Sequence, residues 1–355
     1  MSHLHDAPPK AWTDDPPARF QLYLSRARKN GPDPFEPPSN AFRLRIVARG
    51  TSAYVAGRIT DGESAARSRI MSSERYPVAV LGAGTMGRGI AQVFAQAGHV
   101  VRLYDAVPEA LPAGVGFIAK MLDKAVEKGK LSADAAAATK TRIQPVKALT
   151  DIGRPMLIVE AATEKLEVKI DVLKQAEAAL PDDGILATNT SSISITQLAA
   201  ATKRPSRFIG MHFFNPVPMM KLVEVVRGLQ TDPATVERIV ACAKDLGKTP
   251  VCCNDHPGFV SNRVLMPMIN EAVFSLQDGV ADAKAIDEIM KLGCNHPMGP
   301  LELADLIGLD VCLHILEVLH RDLGEDRYRP CPLLRKMVHA GRLGRKSGRG
   351  FHPYE

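Results

Sequence analysis

The sequence predicts an α/β fold, a mostly parallel open sheet followed by an all-helical C-terminal segment. Two observations carry this. From Val78 onward, short apolar runs alternate with stretches of helical periodicity. After Gly258 the strand-like runs stop and only the helical period continues. Strands that alternate with helices pair in parallel, because each crossover helix returns the chain to the end of the sheet where the previous strand began.

Val78-Ala79-Val80-Leu81, introduced by Pro77, is apolar at every position, as a strand covered on both faces requires. A glycine turn follows, then a helix from Gly87 to Gln96, a second strand from Val100 to Asp105, and a long amphipathic helix from about Leu111 to Lys128. Leu157–Glu160 and Ile185–Thr188 read as two more strands with a helix from Lys169 to Leu180 between them. Phe208–His212 and Leu222–Val226 add a further two. Residues 259–355 are helical, punctuated by Gly293, Pro297 and Gly299-Pro300, and Asp255-His256-Pro257-Gly258 forms the hinge before them. The expected domains are therefore 71–256 and 257–355.

Residues 1–70 read differently. Pro8-Pro9, Pro16-Pro17 and Pro37-Pro38, scattered Arg and the absence of a sustained period suit a disordered tail. Met71 stands a few residues before the first strand, so the expected native start is at or near Met71, with 1–70 an extension without function. The same stretch accounts for most of the charge. The chain carries +6 overall, and residues 1–70 hold 11 Lys/Arg against 7 Asp/Glu. The remainder holds 34 against 32, which leaves no basic body for a nucleic acid.

Hydrophobic residues make up 45% and charged residues 24% of the 355, as in a globular protein. No apolar run approaches the roughly 20 residues that cross a bilayer, and no secretory signal pattern is present, so the expected location is cytoplasmic. Cys242, Cys252, Cys253, Cys294, Cys312 and Cys331 form no CxxC pair and no metal-ligand spacing, and are expected to be reduced thiols.

Gly82-Ala83-Gly84-Thr85-Met86-Gly87 matches GxGxxG between a strand and a helix. Its glycines provide a tight turn, close approach to a pyrophosphate, and close packing of helix on strand. The anion then rests on the N–H groups of the helix start. Gly89 is expected to let that helix lie close to the sheet. The second strand ends in Asp105, an acid placed to accept from ribose hydroxyls and to repel a 2′-phosphate, and no Arg follows it. The expected cofactor is NAD, on a Rossmann-type domain.

Polar residues gather where the later strands end. Ser191 follows the strand 185–188, His212 ends the strand 208–212, and Asn215 comes just after it. Ligands of open α/β sheets bind beyond such carboxyl ends. An imidazole titrates near neutrality and suits the removal of a proton from an alcohol. Glu224, in the next strand, is the candidate carboxylate to fix its tautomer and favour the imidazolium. Asn262 lies across the hinge, so the site is complete only when both domains frame the cleft.

From about Tyr76 to Phe351 the sequence resembles the short-chain L-3-hydroxyacyl-CoA dehydrogenases. The most specific stretches are Asn189-Thr190-Ser191-Ser192-Ile193, His212-Phe213-Phe214-Asn215-Pro216-Val217-Pro218, Pro257-Gly258-Phe259-Val260-Ser261-Asn262-Arg263, His296-Pro297-Met298-Gly299-Pro300 and Gly344-Arg345-Lys346-Ser347-Gly348-Arg349-Gly350-Phe351. The resemblance implies reversible oxidation of a 3-hydroxyacyl-CoA, with His212 as general base and Glu224 as its partner. It implies that Ser191 and Asn262 hydrogen-bond the reacting oxygen and position the substrate, and that Glu164, Lys169, Asn215 and Lys346 lie beside the cofactor. The family's coenzyme A head-group site uses a hydroxyl and a lysine on the long helix after the second strand. Lys128 supplies the lysine, and Met121 stands at the hydroxyl position. By the same analogy the apolar region Leu303–Leu319 reads as a homodimer surface, while sequence alone reads it equally well as internal core. The rival readings are a same-fold dehydrogenase of a free hydroxy or sugar acid and a non-catalytic NAD(H)-binding protein.

Overall fold

The computed structural model describes residues 75–354, so the expectations for residues 1–70 and for a start at Met71 fall outside the described residues. Eight strands form one sheet in the order β3-β2-β1-β4-β5-β6-β7-β8. They are β1 (Val78–Leu81), β2 (Val101–Tyr104), β3 (Ile143–Val146), β4 (Leu157–Glu160), β5 (Ile185–Thr188), β6 (Phe208–Phe213), β7 (Leu222–Arg227) and β8 (Thr249–Asn254). Pairing is parallel except between β6 and β7, which run antiparallel. The mostly parallel sheet expected from the sequence is therefore present. Chain order reverses between β1 and β4, and the glycine turn leaves β1 at this switch point, where open α/β sheets take their ligands.

Two strands carried no readable signal, and both are edges. β3 reads Ile-Gln-Pro-Val with only its ends buried, and β8 is mostly exposed. An edge strand needs no continuous apolar run, and proline is tolerated there because it interrupts no inner ladder.

Helices α1 (Thr85–Gln96), α2 (Ala110–Glu127) and α3 (Ala133–Arg142) fill the crossovers on one side, and α4 (Leu166–Glu177) and α5 (Ile195–Ala200) those on the other. Ile90, Phe94 and Leu122 pack with Val80 and Leu103 on the first face. Leu173, Leu198 and Phe208 pack with Leu81 and Ile158 on the second. Helix α6 (Pro233–Asp245) lies on the first face and joins β7 to β8.

The strands end at β8, and α7 (Ser261–Gln277), α8 (Ala283–Gly293), α9 (Pro300–Ile307), α10 (Leu309–Leu323) and α11 (Pro332–His339) follow around a separate core. Gly258 permits this junction twice over. Its φ is +74°, and a Cβ there would lie 2.7 Å from Leu319 of α10. The region Leu303–Leu319 is two helices broken at Gly308, whose φ is +106°. Leu309, Cys312, Leu313, Leu316 and Leu319 all point into the helical core. Leu306 and Val311 of the same region stay exposed. Most of its apolar face is spent internally.

Candidate active site

Antiparallel pairing of β6 and β7 sets His212 directly opposite Glu224. Directly opposed residues share a face of the sheet, so the pair meets by register. His212 Nδ1 lies 2.8 Å from Glu224 Oε2, and both residues are buried. Glu224 also accepts from the Ser261 backbone N–H at Oε1 (3.0 Å) and from the Ser261 hydroxyl at Oε2 (2.9 Å). Ser261 opens α7, so the carboxylate sits at the positive end of a 17-residue helix. Burial pushes the Glu224 carboxyl up, but hydrogen bonds from His212 and Ser261 outweigh it and hold the group below the usual carboxylate range. An ionised Glu224 can only accept, so the imidazole donates from Nδ1 and keeps its lone pair at Nε2. The ring stands against Phe214 (centroids 4.7 Å) and Phe259 (5.8 Å).

A second buried cluster forms where β4 and β5 end. Lys169 on α4 is 1% exposed, and its ammonium contacts Glu160 Oε1 (2.7 Å), Glu164 Oε2 (3.2 Å) and the Ala162 carbonyl (3.3 Å). Those contacts use its three N–H groups. Lys169 therefore braces the loop after β4 through Glu160, Glu164 and the Ala162 carbonyl. Glu164 Oε1 accepts from Thr190 Oγ1 (2.6 Å), from the Ser191 and Ser192 amides (2.8 and 3.1 Å) and from both serine hydroxyls (3.2 Å each). Burial raises the Glu164 carboxyl, but the Lys169 charge and these donors more than offset it and hold the group low.

Ser191 and Asn262 are brought together. Asn262 Nδ2 donates to the Ser191 carbonyl at 3.0 Å, linking α7 to the end of β5. The Ser191 hydroxyl donates to Glu164 in this structure. Asn215 lies in the loop between β6 and β7. Lys248, only 9% exposed, donates from Nζ to the Val217 (2.5 Å) and Met220 (2.9 Å) carbonyls of that loop. Asn189 Oδ1 accepts from the Phe213 amide at 2.8 Å and ties the end of β5 to the residue after His212. Sequence reasoning assigned no role to Ser261, Glu160, Asn189 or Lys248. The helix-start position of Ser261 after Gly258 was the only available signal.

The glycine loop fits a dinucleotide. Gly82 has φ +113°, and a Cβ there would overlap the Ala161 carbonyl oxygen. A Cβ at Gly87 would overlap the Gly82 carbonyl, so α1 can start this close only with glycine. Gly84 caps α1 with no side-chain hydrogen bond and open space around its missing Cβ, which leaves helix-start N–H groups accessible to an anion. Thr85 is exposed in the first turn, and Met86 packs against the core below. Gly89 departs from expectation. Its missing Cβ would meet Val217 at 2.9 Å, so it admits the β6–β7 loop rather than the sheet. Asp105 accepts from the Ala83 amide at Oδ2 (2.6 Å) and from Val107 at Oδ1 (2.8 Å). It lines a cavity of about 560 Å3 with Gly82, Gly84 and Ala161, of a size for an adenosine half.

Lys128 and Met121 line a different cavity, of about 680 Å3, with Asn215 and Met219. Lys346 pairs with Asp310 of α10 (2.5 Å to Oδ1) and lies against Gly308. All six cysteines are free. Among the described residues, no helix is long and apolar enough to cross a membrane, and no cluster of metal-ligating side chains occurs.

Comparison with known proteins agrees with this geometry. Residues 77–256 match the family model of the 3-hydroxyacyl-CoA dehydrogenase NAD binding domain, and residues 258–354 match that of the 3-hydroxyacyl-CoA dehydrogenase C-terminal domain. A probable 3-hydroxybutyryl-CoA dehydrogenase of Deinococcus radiodurans is 58% identical over 275 residues, covering 78% of this chain and 99% of that one. A 3-hydroxyadipyl-CoA dehydrogenase of Escherichia coli K12 is 45% identical, over 78% of this chain and 58% of its own. The crystal structure of the (S)-3-hydroxybutyryl-CoA dehydrogenase of Ralstonia eutropha matches with a TM-score of 0.76 and 49% identity, covering 79% of this chain and all of the other. Two family models that together span most of the chain, and relatives of this identity, leave one assignment: the chain belongs to the 3-hydroxyacyl-CoA dehydrogenase family, whose first domain binds NAD(H).

Proposed function

We propose that the protein reversibly oxidises an (S)-3-hydroxyacyl-CoA, 3-hydroxybutyryl-CoA first among them, to the 3-ketoacyl-CoA with NAD. The observation that carries this reading is the buried His212–Glu224 pair at 2.8 Å, which leaves Nε2 as the one unengaged basic atom of the imidazole. Nε2 takes the proton of the substrate hydroxyl as the C3–O bond becomes a carbonyl. Glu224, held ionised by Ser261, steadies the imidazolium that forms. Asn262, and Ser191 once its hydroxyl turns from Glu164, hold the reacting oxygen. NAD, when bound, would supply the acceptor for the C3 hydrogen and both of its bonding electrons.

The Gly82–Gly87 loop holds the pyrophosphate, and Asp105 takes the ribose hydroxyls in preference to a 2′-phosphate. Glu164 and Asn215 face the nicotinamide half, with Lys169 fixing Glu164 from behind. Residues 71–256 act as the cofactor domain and 257–355 as the domain that closes the cleft. The exposed apolar residues Val264, Val280, Ile289 and Leu292 on and between the first two helices of that domain are the surface we assign to a homodimer. Light scattering of the wild type and of Leu292→Glu tests the dimer.

Steady-state oxidation of NADH tests the reaction. Acetoacetyl-CoA should be reduced and free acetoacetate should not, and NADH should be used far better than NADPH. Turnover of free acetoacetate alone would move the protein to the hydroxy-acid dehydrogenases. No turnover of either would leave it a binding protein.

A further inference from the structure

The 560 Å3 cavity beside Asp105 and the 680 Å3 cavity beside Lys128 share no lining residue. The second is walled by α1, α2 and the loop 215–219 after His212. Four cations line it, Arg88, Lys124, Lys128 and Lys130, and no carboxylate does. None of the four has an ion-pair partner among the described residues, whereas other basic side chains such as Lys140, Lys169 and Lys346 do. Like charges gathered without counter-charges repel one another, so this wall is stabilised when an anion enters.

Arg88 differs from the three lysines in being held. It lies on α1, one turn beyond Gly84, and its guanidinium stands 3.7 Å over the Phe117 ring of α2. A cation–π stack engages the flat face of a guanidinium and leaves its N–H donors free in the plane. Those edge donors match the oxygens of a phosphate bidentately. Fixing the fork in advance also removes part of the entropy cost of binding. Glycine at position 89 lets Val217 close against α1 beside Arg88, so the substrate-side loop and the arginine meet at one wall.

We propose that Arg88, braced by Phe117, binds a phosphate of the coenzyme A tail and is a specificity residue for the coenzyme A thioester over shorter thioesters. The proposal rests on the acyl-CoA reading above. Arg88 touches the tail and not the reacting carbons, so its effect falls on KM for the thioester.

The test compares acetoacetyl-CoA with acetoacetyl-pantetheine, which keeps the thioester and pantetheine arm but carries no phosphate. Arg88→Met should raise KM for acetoacetyl-CoA about tenfold, the worth of one charge-assisted bidentate contact. On acetoacetyl-pantetheine the same substitution should change kcat/KM by less than about twofold, since the contact is already missing there. Phe117→Ala should give a smaller loss of about threefold with the same selectivity, from loss of the stack alone. Repeating the measurement with the 3′-dephospho thioester assigns the contact, because the arginine's effect disappears there only if it reads the 3′-phosphate. Equal losses on both thioesters, a rise in KM for NADH instead, or no change at all would each overturn the assignment. A wild type that reduces neither thioester overturns the acyl-CoA reading and this proposal with it. One that reduces both, with equal losses in Arg88→Met, overturns the proposal only.

Discussion

Two buried ionic clusters stand on the inner strands of the sheet, and they differ in what they leave unpaired. In the Glu160–Lys169–Glu164 cluster the ammonium spends every N–H, Glu164 Oε1 alone accepts five hydrogen bonds, and Glu160 also accepts from Thr188 and the Ala162 amide. In the His212–Glu224–Ser261 cluster the carboxylate is as fully bonded, but the imidazole ends in a ring nitrogen that no protein group engages. A buried polar group left open is costly and is kept where it does chemistry, while a closed network fixes geometry. The first cluster holds the Thr190–Ser192 turn still. The second has an atom to offer.

Removing the cation should expose that division most sharply. Lys169→Met leaves Glu160 and Glu164 buried without their counter-charge, which costs about 3–5 kcal/mol of stability. Urea unfolding at neutral pH measures it. The fraction that remains folded should retain the wild-type pH profile of kcat. A loss below about 1 kcal/mol would mean that the cluster is not the brace described here.

Opposite behaviour is expected at the second cluster. His212→Gln and Glu224→Gln should each lower kcat by a factor on the order of 10² or more, because the step loses its base or the charge that supports it. Fluorescence titration should find NADH binding nearly unchanged. Near-normal turnover in His212→Gln would remove that residue from the role of base. Between these extremes stands Ser261→Ala, which deletes one of three donors to Glu224 and keeps the helix start. A fall in kcat of about tenfold is expected, since a hydrogen bond to a charged group is worth about 1.5 kcal/mol. A stability loss without a rate loss would place Ser261 in the scaffold instead.

Legibility in the sequence follows the same division. The glycine loop and Asp105 were readable because their roles are backbone roles within one strand–turn–helix–strand unit, where spacing fixes geometry. His212 and Glu224 were readable as neighbours, since a short loop joins their strands, but only antiparallel register sets them face to face. Ser261 lies 37 residues from Glu224, and Lys248 lies 31 from Val217. Contacts across such separations leave no periodic trace. Glu164 and Lys169 entered only by resemblance, since charges around a helix start carry no mark in sequence of the contacts they make. In the helical region Leu303–Leu319 an apolar stripe looks the same in sequence whether it meets another chain or its own core.

The gentlest probe of the first cluster is pH. Glu164 has its carboxyl held below the ordinary range in the folded state, so its interactions stabilise the protein fully above the unfolded carboxylate value, about 4.3. That contribution is lost as pH falls through the lowered folded value, because the unfolded chain takes up the proton first. Glu164→Gln has no proton to gain and should be less stable than the wild type at neutral pH. As the solution is acidified the wild type loses this advantage and the variant does not, so the gap between their urea midpoints should narrow. A gap that stayed constant from neutral pH to well below about pH 4 would assign the loss in Glu164→Gln to shape and hydrogen-bond count rather than to charge. It would also erase the distinction between a charged brace and a neutral one, since only an ionised Glu164 draws on Lys169 as well as on the Thr190–Ser192 donors.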